Sequence, residues 1–128
     1  MSTHKLRKLW LSIGWLLVIL VCYLSLVSDP PTIGALGSDN VAHLLAYGTL
    51  MLWFLQLYPI SRQPIMAVGF VAMGILLEFL QGLTGVRSFE YADMLANTGG
   101  VMLGWLLGKT RFSAALETLE KHILRLSV

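Results

Sequence analysis

At 128 residues the chain has the length of one domain, yet 56% of its residues are apolar and only 12% are charged, about half the charged share usual in soluble domains. A soluble core of this size has no use for that much apolar surface, so the composition points to an integral membrane protein. The formal net charge of +2 comes from basic residues scattered over ends and connections, so it gives no argument for a nucleic-acid partner and none is expected, and the single cysteine, Cys22, excludes an intramolecular disulfide.

Residues 1–8 carry His4, Lys5, Arg7 and Lys8, and an apolar run follows from about Leu9 to Val27. That run is longer than the apolar part of a signal peptide and lacks a small-x-small exit before Asp29, so it reads as an uncleaved first transmembrane helix. Leu20 and Val21 ahead of Cys22 fit a lipoprotein cleavage box poorly, because a small residue is expected just before the cysteine. Pro30 and Pro31 end the helix. The next segment, from Asp29 to Asn40, is a loop rich in Pro, Gly and Ser. Ser38 or Asp39 is placed to cap a second helix over about 40–58.

Pro59 and Pro64 bracket a tight connection containing Arg62, and a third helix over about 65–83 stays apolar until Glu78. Thr84 to Tyr91 read as a polar loop, and a fourth helix spans about 92–107 before Lys109 and Arg111. The expected fold is therefore all-α: an integral membrane four-helix bundle over residues 1–111. Residues 112–128 differ in kind. Phe112, Leu116, Leu119, Ile123 and Leu126 recur at three- and four-residue steps between Glu117, Glu120, Lys121 and Arg125. This is the pattern of an amphipathic helix lying on the membrane surface or against a partner.

The basic residues set the orientation. They lie in the N-terminal arm, at Arg62, and at Lys109 and Arg111, whereas the 28–40 loop has none and the 84–91 loop has only Arg87 beside Glu90 and Asp93. The positive-inside bias places both termini in the cytoplasm and these two loops outside. Asp39, His43 and Tyr47 then stack at the outer end of the second helix. Glu78 and Gln81 share the outer end of the third, Glu78 roughly 7–8 Å below its boundary at 1.5 Å per residue. Asp93 and Asn97 open the fourth, and Arg87 sits in the joining loop. Ionisable groups at hydrocarbon depth cost roughly 2.5–3.5 kcal/mol each on insertion scales, so their convergence on one level of the bilayer marks a site.

Asp93, Asn97, Gly100, Gly104 and Gly108 share one face of the fourth helix, and Gly74, Glu78 and Gln81 one face of the third. Small residues at this spacing admit a neighbouring helix. The expectation is that the third and fourth helices pack together, with the second completing the cluster and the first outside it.

Several chemistries fit these residues. Arg87 with Glu78 or Asp93 makes a structural clamp, since buried charges need partners. Asn97 and Gln81 serve as interhelical hydrogen-bond glue, and Tyr47 as part of an aromatic belt. His43, one turn into its helix after Asp39, suits proton handling or a ligand. An enzyme would use Glu78 or Asp93 as general base, His43 as acid partner and Arg87 to stabilise negative charge. Asp39, His43, Glu78 and Asp93 offer oxygen and nitrogen ligands to a divalent metal, but no two have a tight ligand spacing, so neither a metal nor another cofactor is expected. The N-termini of the second and fourth helices, with Arg87, suit an anionic lipid phosphate or cell-wall carboxylate. There is no Ser-His-Asp set, no phosphate-gripping glycine loop and no cysteine nucleophile arrangement. The apolar inner half leaves no polar path for a transporter unless the chain oligomerises.

The order Asp39, His43, Tyr47, then Glu78-x-x-Gln81, Arg87, Asp93, Asn97, Gly100 and Gly104 resembles the VanZ-like family of small membrane proteins over about residues 39–108. The stretch RSFEYADMLANTGGVMLG carries the more specific half of the pattern. The family commonly has Lys after the first Asp; here Asn40 stands there, which removes that Lys as a neutraliser of Asp39. The resemblance implies a multi-pass protein of the bacterial inner membrane tied to the cell envelope. The founding member is associated with low-level teicoplanin resistance. Matched position by position, the motif residues are Asp39, His43, Tyr47, Glu78, Gln81, Arg87, Asp93 and Asn97, the same set that the topology brings together; the resemblance implies no settled reaction. The expectation is that these residues form a site at the outer face that binds, or modifies, a lipid-linked or peptidoglycan-type component of the envelope.

Overall fold

The computed structural model describes residues 6–26, 39–85 and 91–126, with Asp39, Asn40 and Arg111 described by backbone alone. Those residues form five α-helices and no strand: α1 (Arg7–Leu26), α2 (Asp39–Leu55), α3 (Gln63–Thr84), α4 (Tyr91–Leu107) and α5 (Ala115–Leu126). Short 3-10 turns at Ile60–Arg62 and Arg111–Ala114 lead into α3 and α5. The cap read for Ser38 lies outside the described residues, as does any capping by the Asp39 side chain.

The helix ends depart from the sequence reading in two places, each with a local cause. The second helix closes at Leu55 and not near Tyr58. The Leu57 N–H bonds the Phe54 carbonyl at 3.0 Å, a tightened last turn ahead of Pro59 that frees the Gln56 side chain for α5. The third helix starts at Gln63 with Pro64 inside its first turn, where a proline lacks only an N–H that would have no partner anyway. Gly85 ends α3 with φ 70°, a left-handed conformation that glycine adopts without strain.

The largest helix contact is α2 with α4, not α3 with α4, and glycine explains the choice. A Cβ on Gly100 would run into the Leu44 carbonyl, and one on Gly104 into the Gly48 carbonyl; one on Gly48 would meet the Gly100 carbonyl at 3.1 Å. The stripe expected to receive α3 receives the backbone of α2 instead. Gly74 of α3 lies under the Asn97 side chain, whose Nδ2 would sit 2.9 Å from a Cβ there. Tyr47, Met51, Leu55, Ala67 and Val101 close the core between the three helices.

α1 is tied in at both ends. Near its start Trp53 Nε1 donates to the Trp10 carbonyl at 2.9 Å, the two indoles meet edge to face with centroids 6.1 Å apart, and Gly14 gives room to Phe54 and Trp53. α5 folds onto this same end. Leu116 is buried with Trp10 and Leu57, its N–H donates to Gln56 Oε1 at 2.9 Å, and Glu120 Oε1 accepts from the Leu6 N–H at 2.6 Å and from Trp10 Nε1 at 3.1 Å. Arg7 donates to the Leu57 carbonyl and stacks over the Tyr58 ring.

Beside this apolar core the bundle also buries polar side chains and exposes large apolar ones. Glu78, Gln81, Asp93 and Asn97 are buried, while Trp15, Leu16, Ile19, Val68, Leu76, Leu95 and Leu106 are more than half exposed. By length and composition α1 and the stretch Ile60–Thr84 suffice to cross a bilayer, and α2 contributes a shorter apolar stretch, Val41–Leu55.

Candidate functional site, a polar seam between α2 and α4

His43 and Tyr47 are one turn apart on α2, and Asp93 and Asn97 are one turn apart on α4. Because glycines let these two helices touch backbone to backbone at Leu44–Gly100 and Gly48–Gly104, the side chains flanking that contact are forced into the same narrow seam. His43 Nδ1 stands 3.3 Å from Asp93 Oδ1. This is ion-pair distance without hydrogen-bond alignment, and both atoms lack a hydrogen-bond partner, as do the Tyr47 hydroxyl and Asn97 Oδ1. All four atoms are buried. Leaving a buried polar atom unpaired costs about 1–3 kcal/mol, so four of them along one seam need an explanation.

α3 supplies the third wall. Glu78 is buried on its inner face and lies within electrostatic reach of the Tyr47 hydroxyl, as does Cys22 of α1. Gln81, one turn beyond, donates from Nε2 to the Ser25 carbonyl at 2.5 Å, so it ties α3 to the end of α1 and does not face α2. The first helix therefore takes part in this end of the bundle, contrary to the expectation that it stays outside. Val21 packs against the Tyr47 core as well. Nothing in the sequence marks the Ser25 contribution, because a backbone carbonyl has no side-chain signature. Gly48 was also unmarked; its spacing of four from Leu44, opposite the α4 glycines, is the signal that identifies it.

Of the eight expected binding residues, the structure brings His43, Tyr47, Glu78, Asp93 and Asn97 to one place and directs Gln81 toward α1. Arg87 and the side chain of Asp39 lie outside the described residues. Among the described residues no three His, Cys, Asp or Glu side chains gather to hold a metal ion. Beside the seam, on the outward flank of α3 and α4, an open apolar groove is lined by Ile75, Phe79, Gly82, Leu83, Tyr91 and Met94.

No curated protein and no solved structure matches the chain. The sequence profile of one family does, VanZ/LLP1, over residues 4–112. That span takes in α1 to α4 with every residue of the seam, and the chain belongs to the VanZ/LLP1 family.

Proposed function

We propose that the protein is a four-span protein of the bacterial cytoplasmic membrane that binds, or modifies, a lipid-linked or peptidoglycan-type component of the cell envelope in the α2–α4 seam. The observation that carries this reading is the row of buried polar atoms without hydrogen-bond partners at His43, Tyr47, Asp93 and Asn97, since a fold that only needed stability would fill such positions with apolar side chains. Four spans are supported by the large apolar side chains exposed on all four helices, Leu45 on α2 and Leu95, Met102 and Leu106 on α4 included. The 17 residues of α2 and of α4 fall at the short end of the range of about 17–25 for a spanning helix. Positive-inside orientation puts the seam near the outer face and both termini, with α5, in the cytoplasm. The neighbouring groove suits the hydrocarbon chain of a lipid-linked ligand. A contribution to glycopeptide tolerance belongs to this reading.

A second reading, an internal clamp, is favoured by the His43–Asp93 pair and the Gln81–Ser25 bond, which join helices without any ligand. Thermal unfolding in detergent separates the two. Glu78→Gln, Arg87→Ala and Asp93→Asn are compared with wild type against lipid phosphates, peptidoglycan fragments and divalent metals. A binding site keeps near-wild-type melting in the variants and loses a ligand shift present in wild type. If all three variants collapse and nothing shifts the wild type, the clamp is the function.

A further inference from the structure

We propose that α5 is an interfacial helix: one flank docks on the bundle, and a second, apolar flank enters the boundary between headgroups and acyl chains of a leaflet rich in anionic lipid. The inference rests on the reading of α1–α4 as membrane-spanning, and not on any ligand in the seam. The apolar stripe of α5 is not the face that meets the bundle. Leu116 and Glu120 are buried, and Leu124 in the same row is half-buried. Polar contacts hold this row in place: the Leu116 N–H donates to Gln56 Oε1, and Glu120 Oε1 accepts from the Leu6 N–H and from Trp10 Nε1. Leu119, Ile123 and Leu126 lie about a quarter turn away around the helix, at 3.6 residues per turn. They are 45%, 37% and 73% exposed. Thr118, Lys121, His122 and Arg125 fill the remaining sector and are all exposed. The helix thus has three sectors, suited to protein, hydrocarbon and water, where a tail that only closed the bundle would need two.

Continuity and charge say what covers the apolar flank. α5 docks at the end of the bundle where exposed Leu9 of α1, exposed Leu106 of α4 and exposed Phe112 of the following turn bring the apolar outer surface to its edge. Lys8, Arg62, Lys109, Lys121 and Arg125 are exposed at this same end. Of the acidic side chains there, Glu117 pairs with Lys121 at 3.4 Å and Glu120 is buried in the docking contact. The sequence sets its other acidic residues after α1 (Asp29), at the start of α2 (Asp39), near the end of α3 (Glu78) and around the start of α4 (Glu90 and Asp93), which are the opposite helix ends. A second copy seated on the flank would bring the same cations against these, an arrangement that repels. An anionic leaflet neutralises them. Buried apolar area together with the attraction of cations to anionic lipid is what holds an amphipathic helix in the plane of a membrane surface.

The test uses the full chain with Cys22→Ala, reconstituted in phosphatidylcholine vesicles with and without phosphatidylglycerol. Ile123→Cys or Thr118→Cys carries an environment-sensitive fluorophore, quenched from water by iodide and from the bilayer by spin-labelled lipid. The probe at 123 is expected to be quenched by lipid and shielded from iodide, and the probe at 118 to show the reverse. Phosphatidylglycerol is expected to deepen the lipid quenching at 123. Added salt, or Lys109→Gln with Arg125→Gln, is expected to undo that gain, each cation being worth roughly fivefold in binding to an anionic surface. Equal iodide quenching at the two positions overturns the flank assignment. Lipid quenching at 123 that neither phosphatidylglycerol nor salt alters overturns the anionic partner. Shielding from iodide without lipid quenching means that protein covers the flank, a second copy if the shielding grows with the protein-to-lipid ratio, and overturns the inference as well. A chain that does not float with the vesicles overturns the membrane-spanning reading and this inference together, whereas a floating chain with position 123 in water overturns this inference alone. Should Ile123→Cys fail to fold, Leu126→Cys on the same flank gives the same readout.

Discussion

His43 of α2 and Asp93 of α4 meet at 3.3 Å beside the stretch where the two helices are in backbone contact, Gly100 against the carbonyl of Leu44 and Gly104 against that of Gly48. Position and chemistry are thus coupled: the glycines that draw the helices together also set the distance between the imidazole and the carboxylate.

The pair has an asymmetric response to mutation. His43→Ala leaves Asp93 buried without its partner and is expected to cost about 3 kcal/mol. Asp93→Asn removes the charge while keeping the shape, and is expected to cost roughly 1 kcal/mol or less. Combining the two changes is expected to recover much of the His43→Ala loss, since no buried carboxylate then remains at position 93. A double-mutant cycle from denaturant or thermal unfolding in detergent checks this. Additive single effects rule out the coupling.

The glycine contact gives a sharper contrast on one helix. Gly100→Ala sets a methyl group against the Leu44 carbonyl, whereas a Cβ at Gly99 meets nothing within 4 Å. The backbone of α2 has to retreat in the first case, at an expected cost of about 1–3 kcal/mol or more. Gly99→Ala is expected to be neutral or to stabilise by up to about 1 kcal/mol through helix propensity. Melting temperatures of the two variants decide it: equal values mean that α2 and α4 are not in backbone contact.

These two helices also show what the sequence makes legible. Glycines four apart announce a close approach but do not name the partner, and the α3 stripe of Gly74, Glu78 and Gln81 was as good a match on paper. What separates them is Asn97, whose side chain occupies the space over Gly74 and keeps α3 off the α4 glycines. The helical class and the level at which His43, Tyr47, Glu78, Asp93 and Asn97 converge follow from the spacing of proline, charge and apolar runs. The role of Ser25 does not, because Gln81 binds its backbone. The docking of α5 was half legible. Its apolar stripe was plain, but Glu120, which reads as a solvated charge between stripe positions, is buried against Leu6 and Trp10.

Glu120 therefore supplies a test at the opposite end. Glu120→Ala strips the acceptor from the Leu6 N–H and Trp10 Nε1, with an expected cost of about 1–3 kcal/mol. Glu120→Gln keeps a carbonyl acceptor there and is expected to lose less. Release of α5 is expected to expose the 109–115 connection to protease in the Ala variant before the bundle melts. Equal digestion of wild type and Glu120→Ala means that this carboxylate does not hold the tail.

Orientation is checked by thiol labelling, for which the single native cysteine is an advantage. In a Cys22→Ala background, Ser61→Cys lies in the exposed turn between α2 and α3, and Thr84→Cys at the exposed end of α3. The bundle puts these positions at opposite ends, since α3 runs from Gln63 to Thr84 between them. A membrane-impermeant maleimide added to intact spheroplasts is expected to label Thr84→Cys and to spare Ser61→Cys until the cells are lysed. Labelling of Ser61→Cys alone reverses the topology and moves the seam to the cytoplasmic face, where an envelope ligand has no access. Labelling of both in intact cells is incompatible with α3 spanning the membrane.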